Sequence, residues 1–207
     1  MDCPARLPEG VTDSCMLKCT LPVDATSRVI TYFLTYSLGM AYRAKILTVS
    51  DSVSDGRRED GAGPLLKARL IDSGFEVDEV RVVPDGVSSV ASSLLAMSLG
   101  FAGLIVTTGG TGFSPRDLTP EATLQILERE APGFDELMRA TSPFGALSRS
   151  RSGTVARCLI VNTPGSPEAA IECLEAVLAL VPHALDLLRG GGETHPPETG
   201  GSTATSS

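Results

Sequence analysis

The sequence predicts an α/β domain built on a parallel sheet, and two observations carry that prediction. From Ala44 onward, short apolar runs alternate with longer stretches whose apolar residues recur at helical spacing, and Gly or Pro marks the joins. The apolar residues are also nearly all aliphatic. Hydrophobic residues make up 42% of the 207-residue chain and aromatics only 4%, with no Trp, so Leu, Val, Ile and Ala must fill the core, as in a sheet covered by helices. Strand and helix in strict alternation imply parallel neighbours joined by right-handed crossovers.

Each element can be argued in turn. Ala44 to Val49 is a short β-branched run and reads as the first strand. Gly63 to Ser73 places Leu65, Leu66, Leu70 and Ile71 at helical spacing, with Gly74 as a stop. Val77 to Val83 reads as a second strand, ended by Pro84-Asp85-Gly86, and Val87 to Leu99 as a helix stopped by Gly100. Leu104 to Thr107 is a third strand that runs into a glycine-rich loop. Thr119-Pro120-Glu121 looks like a helix start, with Thr119 as N-cap, Pro120 in the first turn and Glu121 at the positive end. That helix is expected to reach about Glu130, with a shorter one over Phe134 to Ala140. Arg149 to Gly153 reads as a polar loop, Cys158 to Val161 as a buried strand, and Glu168 to Leu180 as a helix after the turn Pro164-Gly165-Ser166-Pro167.

The ends read differently. Residues 1–43 lack a clean period and hold three of the five cysteines, so they are expected to be a poorly ordered extension, with Met40 as a natural start. Residues 191–207 are rich in Gly, Pro, Ser and Thr and are expected to be a disordered tail, leaving 44–190 as the domain. The cysteines are odd in number, and Cys158 and Cys173 sit in apolar runs, which suits reduced thiols and a cytoplasmic protein. Apolar runs fall well short of the ~20 residues that span a bilayer, so no membrane partner is expected. A net charge of -8 argues against nucleic acid, whose phosphates attract clustered Lys and Arg. It leaves room for a small phosphorylated ligand met by backbone amides and Mg²⁺. His183 and His195 have no ligand-like partner in the sequence and read as structural or solvated.

In a parallel α/β sheet, ligands bind beyond the carboxyl ends of the strands. Thr107 to Gly112 brings three glycines and three hydroxyl residues to that edge, so its amides can approach an anion without a Cβ in the way. By itself the run Gly109-Gly110-Thr111-Gly112 is equally a tight turn; it is neither a P-loop nor a dinucleotide fingerprint. Arg116-Asp117 follows, pairing a cation suited to phosphate with a carboxylate suited to Mg²⁺. Asp85 reads either as a turn former or as a second carboxylate at the same edge. Asp51 and Asp60 bracket the first loop and are the better candidates among its acidic residues.

With these residues in view, Thr107 to Ala122 (TTGGTGFSPRDLTPEA) resembles the signature of the molybdenum cofactor biosynthesis family, which includes bacterial molybdopterin adenylyltransferases, related B-type proteins and the G domain of gephyrin. Thr48 to Ser52, Pro84-Asp85, Leu147-Ser148-Arg149 and Asn162 to Pro167 extend the resemblance over about 44–190. It implies a three-layer α/β/α fold with a mostly parallel sheet, a homotrimer, and a partner protein that inserts molybdate. It also implies transfer of AMP from ATP to the terminal phosphate of molybdopterin, with Mg²⁺ and release of pyrophosphate. By the same resemblance Asp85 and Asp117 are the catalytic and metal-binding pair. Thr108, Gly109, Gly110, Thr111, Gly112 and Arg116 hold the nucleotide phosphates, Pro164, Gly165 and Ser166 form a second wall, and Ser50 and Asp51 belong to the first loop. The chain departs from its relatives at Asp60-Gly-Ala-Gly-Pro64, where Ala62 replaces a Ser and removes a hydroxyl. Two other readings stand beside the enzyme: a molybdopterin-binding protein without turnover, and a module of a nucleotide-processing enzyme, for which this chain is short of a second domain.

Overall fold

The computed structural model describes residues 41–190. The Met40 start, all but the last three residues of the expected extension, and the tail from 191 lie outside the described residues.

Within them the chain runs β1 (Tyr42–Val49), α1 (Asp51–Ser54), α2 (Gly63–Asp72), β2 (Phe75–Val83), α3 (Val87–Ser98), β3 (Ala102–Thr108) and α4 (Thr119–Leu124). Next come β4 (Arg129–Glu130), α5 (Pro132–Arg139), a 3₁₀ turn (Pro143–Leu147), β5 (Ser152–Val155), β6 (Arg157–Thr163), α6 (Pro167–Leu178) and α7 (Val181–Leu188). The six strands form one sheet in the order β2-β1-β3-β6-β5-β4. The first four are mutually parallel, while β5 and β4 pair antiparallel at the far edge. The sheet is therefore mostly parallel, as expected.

Period-two alternation divides the side chains between two cores. Ala44, Ile46, Leu104, Val106, Leu159 and Val161 face α2, α5, α6 and α7, packing on Leu66, Leu70, Met138, Leu174, Val177 and Leu185. Leu47, Val49, Ile105, Cys158 and Ile160 face the other way, against Val90, Leu94 and Met97 of α3 and Ala122 of α4. Helices cover both faces, which gives the three layers. Burial also pushes the Cys158 thiol up to about 11 and raises that of Cys173, so both stay protonated apolar fillers.

Two expectations fail on the antiparallel side. The helix starting at Thr119 ends at Leu124 rather than near Glu130, because Arg129 and Glu130 pair with Thr154 and Gly153. The polar stretch 149–153, expected as a loop, enters a strand at Ser152. Its polarity is satisfied internally: the buried Asp135 carboxylate accepts the Ser152 amide (3.1 Å) and hydroxyl (2.7 Å). Gly153 is required there, since a Cβ would lie 2.3 Å from the Arg129 carbonyl. The start of α4 is a further correction. Leu118 holds the N-cap position without a side-chain cap, and the Thr119 hydroxyl donates instead to the Gly109 carbonyl at 2.9 Å.

Candidate active site

The parallel register brings four strand ends together. Val49 pairs with Val83, Thr48 with Thr108, and Thr108 with Thr163, so the loops that follow leave from one edge. Ser50 and Asp51, Asp85, Gly109 to Asp117, and Pro164 to Ser166 all meet there, where ligands bind in such sheets.

The glycine-rich loop is held by backbone contacts that admit no side chain. The Gly109 amide donates to the Thr163 carbonyl (3.1 Å), and the Thr108 hydroxyl donates to the Pro164 carbonyl (2.6 Å). Gly109 has φ +100°, and a Cβ on it would stand 2.2 Å from the Val49 carbonyl. Gly165 lies against the Cα of Gly109, so the wall Pro164 to Ser166 packs directly on the loop. The Ser166 hydroxyl, by contrast, turns to Glu168 at 3.1 Å. Thr111 is buried within the loop.

Two of the remaining glycines mark where the carboxylates sit. A Cβ on Gly110 would be 3.2 Å from Asp85 Oδ1, and one on Gly112 would be 2.9 Å from Asp117 Oδ2. Asp85 and Asp117 thus approach the loop at two glycines separated only by Thr111. Asp117 Oδ2 accepts the Ser114 amide at 2.9 Å. Asp85 and Asp51 are locked reciprocally: the Asp51 amide donates to Asp85 Oδ2 (2.8 Å), and the Asp85 amide to Asp51 Oδ1 (3.0 Å).

Charge around Asp85 is unbalanced. Burial raises its carboxyl above the usual range, and the nearby Asp51 and Asp117 carboxylates raise it further. Arg116 answers mainly Asp51, donating from Nε at 3.1 Å and from Nη2 at 2.8 Å, and Nη2 also reaches the Asp85 carbonyl at 2.7 Å. The hydrogen bonds from Arg116 to its carboxylate hold the Asp51 carboxyl below its ordinary value. Arg116, expected as a phosphate ligand, is here the clasp joining the first loop to the third.

Other expected residues play local roles. The Ser50 hydroxyl caps α1, accepting the Val53 amide at 3.4 Å. Asp60 is turned inward. It accepts the Thr48 hydroxyl (2.7 Å) and the Ala62 and Gly63 amides (3.1 and 2.9 Å), which satisfies the start of α2. Ala62 is buried in the core, so its missing hydroxyl leaves no gap in that cap.

Two residues quoted in the family match but given no role prove central. The Asn162 amide donates to the Thr107 and Thr123 hydroxyls (3.0 and 3.1 Å) and its oxygen accepts the Arg151 amide (3.2 Å), tying β6, β3 and α4 together. Arg149 reaches the loop from behind, hydrogen bonding Gly112, Asp117 and Glu121. A polar residue inside an apolar strand was the signal for Asn162; Arg149 had none beyond the match. Beside Arg149 lies a cavity of about 330 Å³ lined by Pro120, Glu121, Leu124, Arg139, Ser148 and Arg151.

Among the described residues no three His, Cys, Asp or Glu converge as a metal cage. Mg²⁺ does not need one, since it is commonly held by one or two carboxylates with phosphate oxygens and water. The Asp85 and Asp117 carboxylates, both set against the glycine-rich loop, fit that role. No helix among the described residues is long and apolar enough to cross a membrane.

Comparison with known proteins identifies the family. Residues 45–183 match the family model described as "Probable molybdopterin binding domain". The chain is 40% identical over 152 residues to a molybdopterin adenylyltransferase of Helicobacter pylori, covering 70% of this chain and 86% of that one. It is 35% identical over 176 residues to the molybdopterin adenylyltransferase of Escherichia coli, covering 75% and 90%. The crystal structure of the molybdopterin biosynthesis enzyme MoaB from Thermus thermophilus superposes with a TM-score of 0.68 at 46% identity, covering 72% of this chain and 97% of that one. The chain belongs to the molybdopterin-binding family of molybdenum cofactor biosynthesis proteins.

Proposed function

We propose that this chain transfers AMP from Mg-ATP to the terminal phosphate of molybdopterin and releases pyrophosphate. The observation that carries the reading is the placing of two carboxylates, Asp85 and Asp117, against Gly110 and Gly112 of one loop. In such a transfer a phosphate oxygen attacks the α-phosphorus of ATP and the bond to the β-phosphate breaks. No protein nucleophile is needed, only alignment and relief of charge. The loop from Gly109 to Gly112 holds the nucleotide phosphates. Mg²⁺ held by Asp85 and Asp117 would supply charge neutralisation between phosphate oxygens. The names of the 35–40% identical relatives support the same reaction.

The proposal assigns this activity to residues 44–190, in a cytoplasmic homotrimer that hands its product to a molybdate-inserting partner. Light scattering on the purified chain tests the trimer. The central experiment incubates purified protein with molybdopterin, ATP and Mg²⁺ and measures pyrophosphate. Release above a protein-free blank is expected, as is its loss in Asp117→Asn with an unchanged circular dichroism spectrum. No release by the native chain would remove the enzyme reading, and near-normal turnover in Asp117→Asn would remove that residue from the metal site.

A further inference from the structure

Arg149 comes from the segment before β5, far along the chain from the glycine-rich loop, yet its donors converge on that loop. Its backbone amide donates to the Thr111 carbonyl at 2.9 Å and its Nε to the Gly112 carbonyl at 2.8 Å. Its two Nη groups donate to the Asp117 carbonyl and the Glu121 carboxylate, and the guanidinium lies over the Phe113 ring. One side chain therefore holds both ends of the stretch from Gly112 to Asp117.

Peptide geometry gives this a consequence. In a trans peptide the carbonyl and the N–H point in opposite directions. The Thr111 carbonyl shares its peptide with the Gly112 amide, and the Gly112 carbonyl shares its peptide with the Phe113 amide. Turning both carbonyls to Arg149 turns both N–H groups away from it. No backbone carbonyl among the described residues accepts either amide. By gripping the Asp117 carbonyl as well, Arg149 also sets the backbone that carries the Asp117 carboxylate.

We infer that the Arg149 side chain is a positioning element for phosphate binding: from behind the loop it aims the Phe113 amide at the anion, beside the Gly112 amide that its own backbone N–H orients, and holds Asp117 in register with them. Lys cannot replace it, because an ammonium is one point of charge, whereas this contact needs a planar fork reaching three acceptors. The inference rests on the proposed reaction for its purpose, but the donor geometry can be tested without turnover.

The test uses the full-length chain with inorganic pyrophosphate as probe, measured by calorimetry well below the melting temperature, for the native protein, Arg149→Ala and Arg149→Lys. The backbone amide of residue 149 still holds the Thr111 carbonyl in Arg149→Ala, so one amide donor, the Phe113 N–H, is freed to turn. A hydrogen bond to a charged group is worth about 1.5–3 kcal/mol, and binding is expected to weaken by about tenfold or more. Arg149→Lys should recover little of this, and millimolar guanidinium should restore Arg149→Ala toward the native affinity. A merely structural arginine would lower the melting temperature and leave the affinity of the folded protein unmoved. Pyrophosphate affinity in Arg149→Ala within about threefold of native overturns the inference. Should Arg149→Ala show no cooperative melting, native-like affinity in Arg149→Lys overturns it instead. Failure of the native chain to bind pyrophosphate also overturns it. Native binding lost in both variants, without pyrophosphate release from ATP and molybdopterin, supports the positioning role and refutes only the proposed reaction.

Discussion

Replacing Gly112 by Ala separates the site from the fold. Gly112 does not have a positive φ, so its backbone accepts an Ala without strain. The new Cβ would stand 2.9 Å from Asp117 Oδ2 and 3.8 Å from Cγ, and ordinary contact begins near 3.4 Å. The carboxylate must therefore retreat by about half an ångström, and a misplacement of ~1 Å can cost ~100-fold in rate, so a loss of about tenfold in kcat is expected. Stability should barely change. Weakening the bond from the Ser114 amide to Oδ2 costs about 1 kcal/mol. The lower unfolded-state entropy of Ala offsets this by ~0.4–1 kcal/mol. Pyrophosphate release under saturating Mg-ATP, set beside a melting curve, is the assay. A kcat within twofold of native, or a fall in melting temperature as large as that of a core truncation, would refute the reasoning.

Gly109→Ala should do the opposite, since φ is +100° and the new Cβ would meet the Val49 carbonyl at 2.2 Å, where backbone must move. A cost on the order of 3 kcal/mol is expected, which a melting temperature close to native would contradict. Asp85→Asn tests the charge imbalance at the site. Burial, then Asp51 and Asp117, raise the folded-state pKa of Asp85 above 3.8, so protonation stabilises the fold. That contribution is complete below pH 3.8, is lost as pH rises through the folded value, and leaves the carboxylate a net cost at neutral pH. Asn, which can still accept the Asp51 amide, should therefore melt at or above the native temperature at pH 7 while losing activity. The gap should close on acidification, and a lower melting temperature at pH 7 would count against the sign.

The chain's alternation of aliphatic strands and amphipathic helices determined most of the fold without a structure, because burial on both sheet faces leaves its mark in local composition. β1, β2, β3 and β6 lie where the apolar runs placed them, with the structural strands extended by one or two residues at an end. The same logic placed the helix at Pro132–Arg139 but failed on either side of it, at 125–130 and 149–155. There β4 and β5 are an antiparallel edge stabilised by Asp135, Gly153 and the pairing of Arg129 with Thr154, partners that no local window contains. The site divides in the same way. Residue types sufficed to bring forward Gly109 to Gly112, Asp85 and Asp117, because glycines beside carboxylates at strand ends have a recognisable chemistry. Only tertiary structure decided that Arg116 clasps Asp51 and that Arg149 sets the loop from behind. Both are long side chains whose partners are chosen by where other segments end, and that is a property of the packed sheet rather than of the sequence around them.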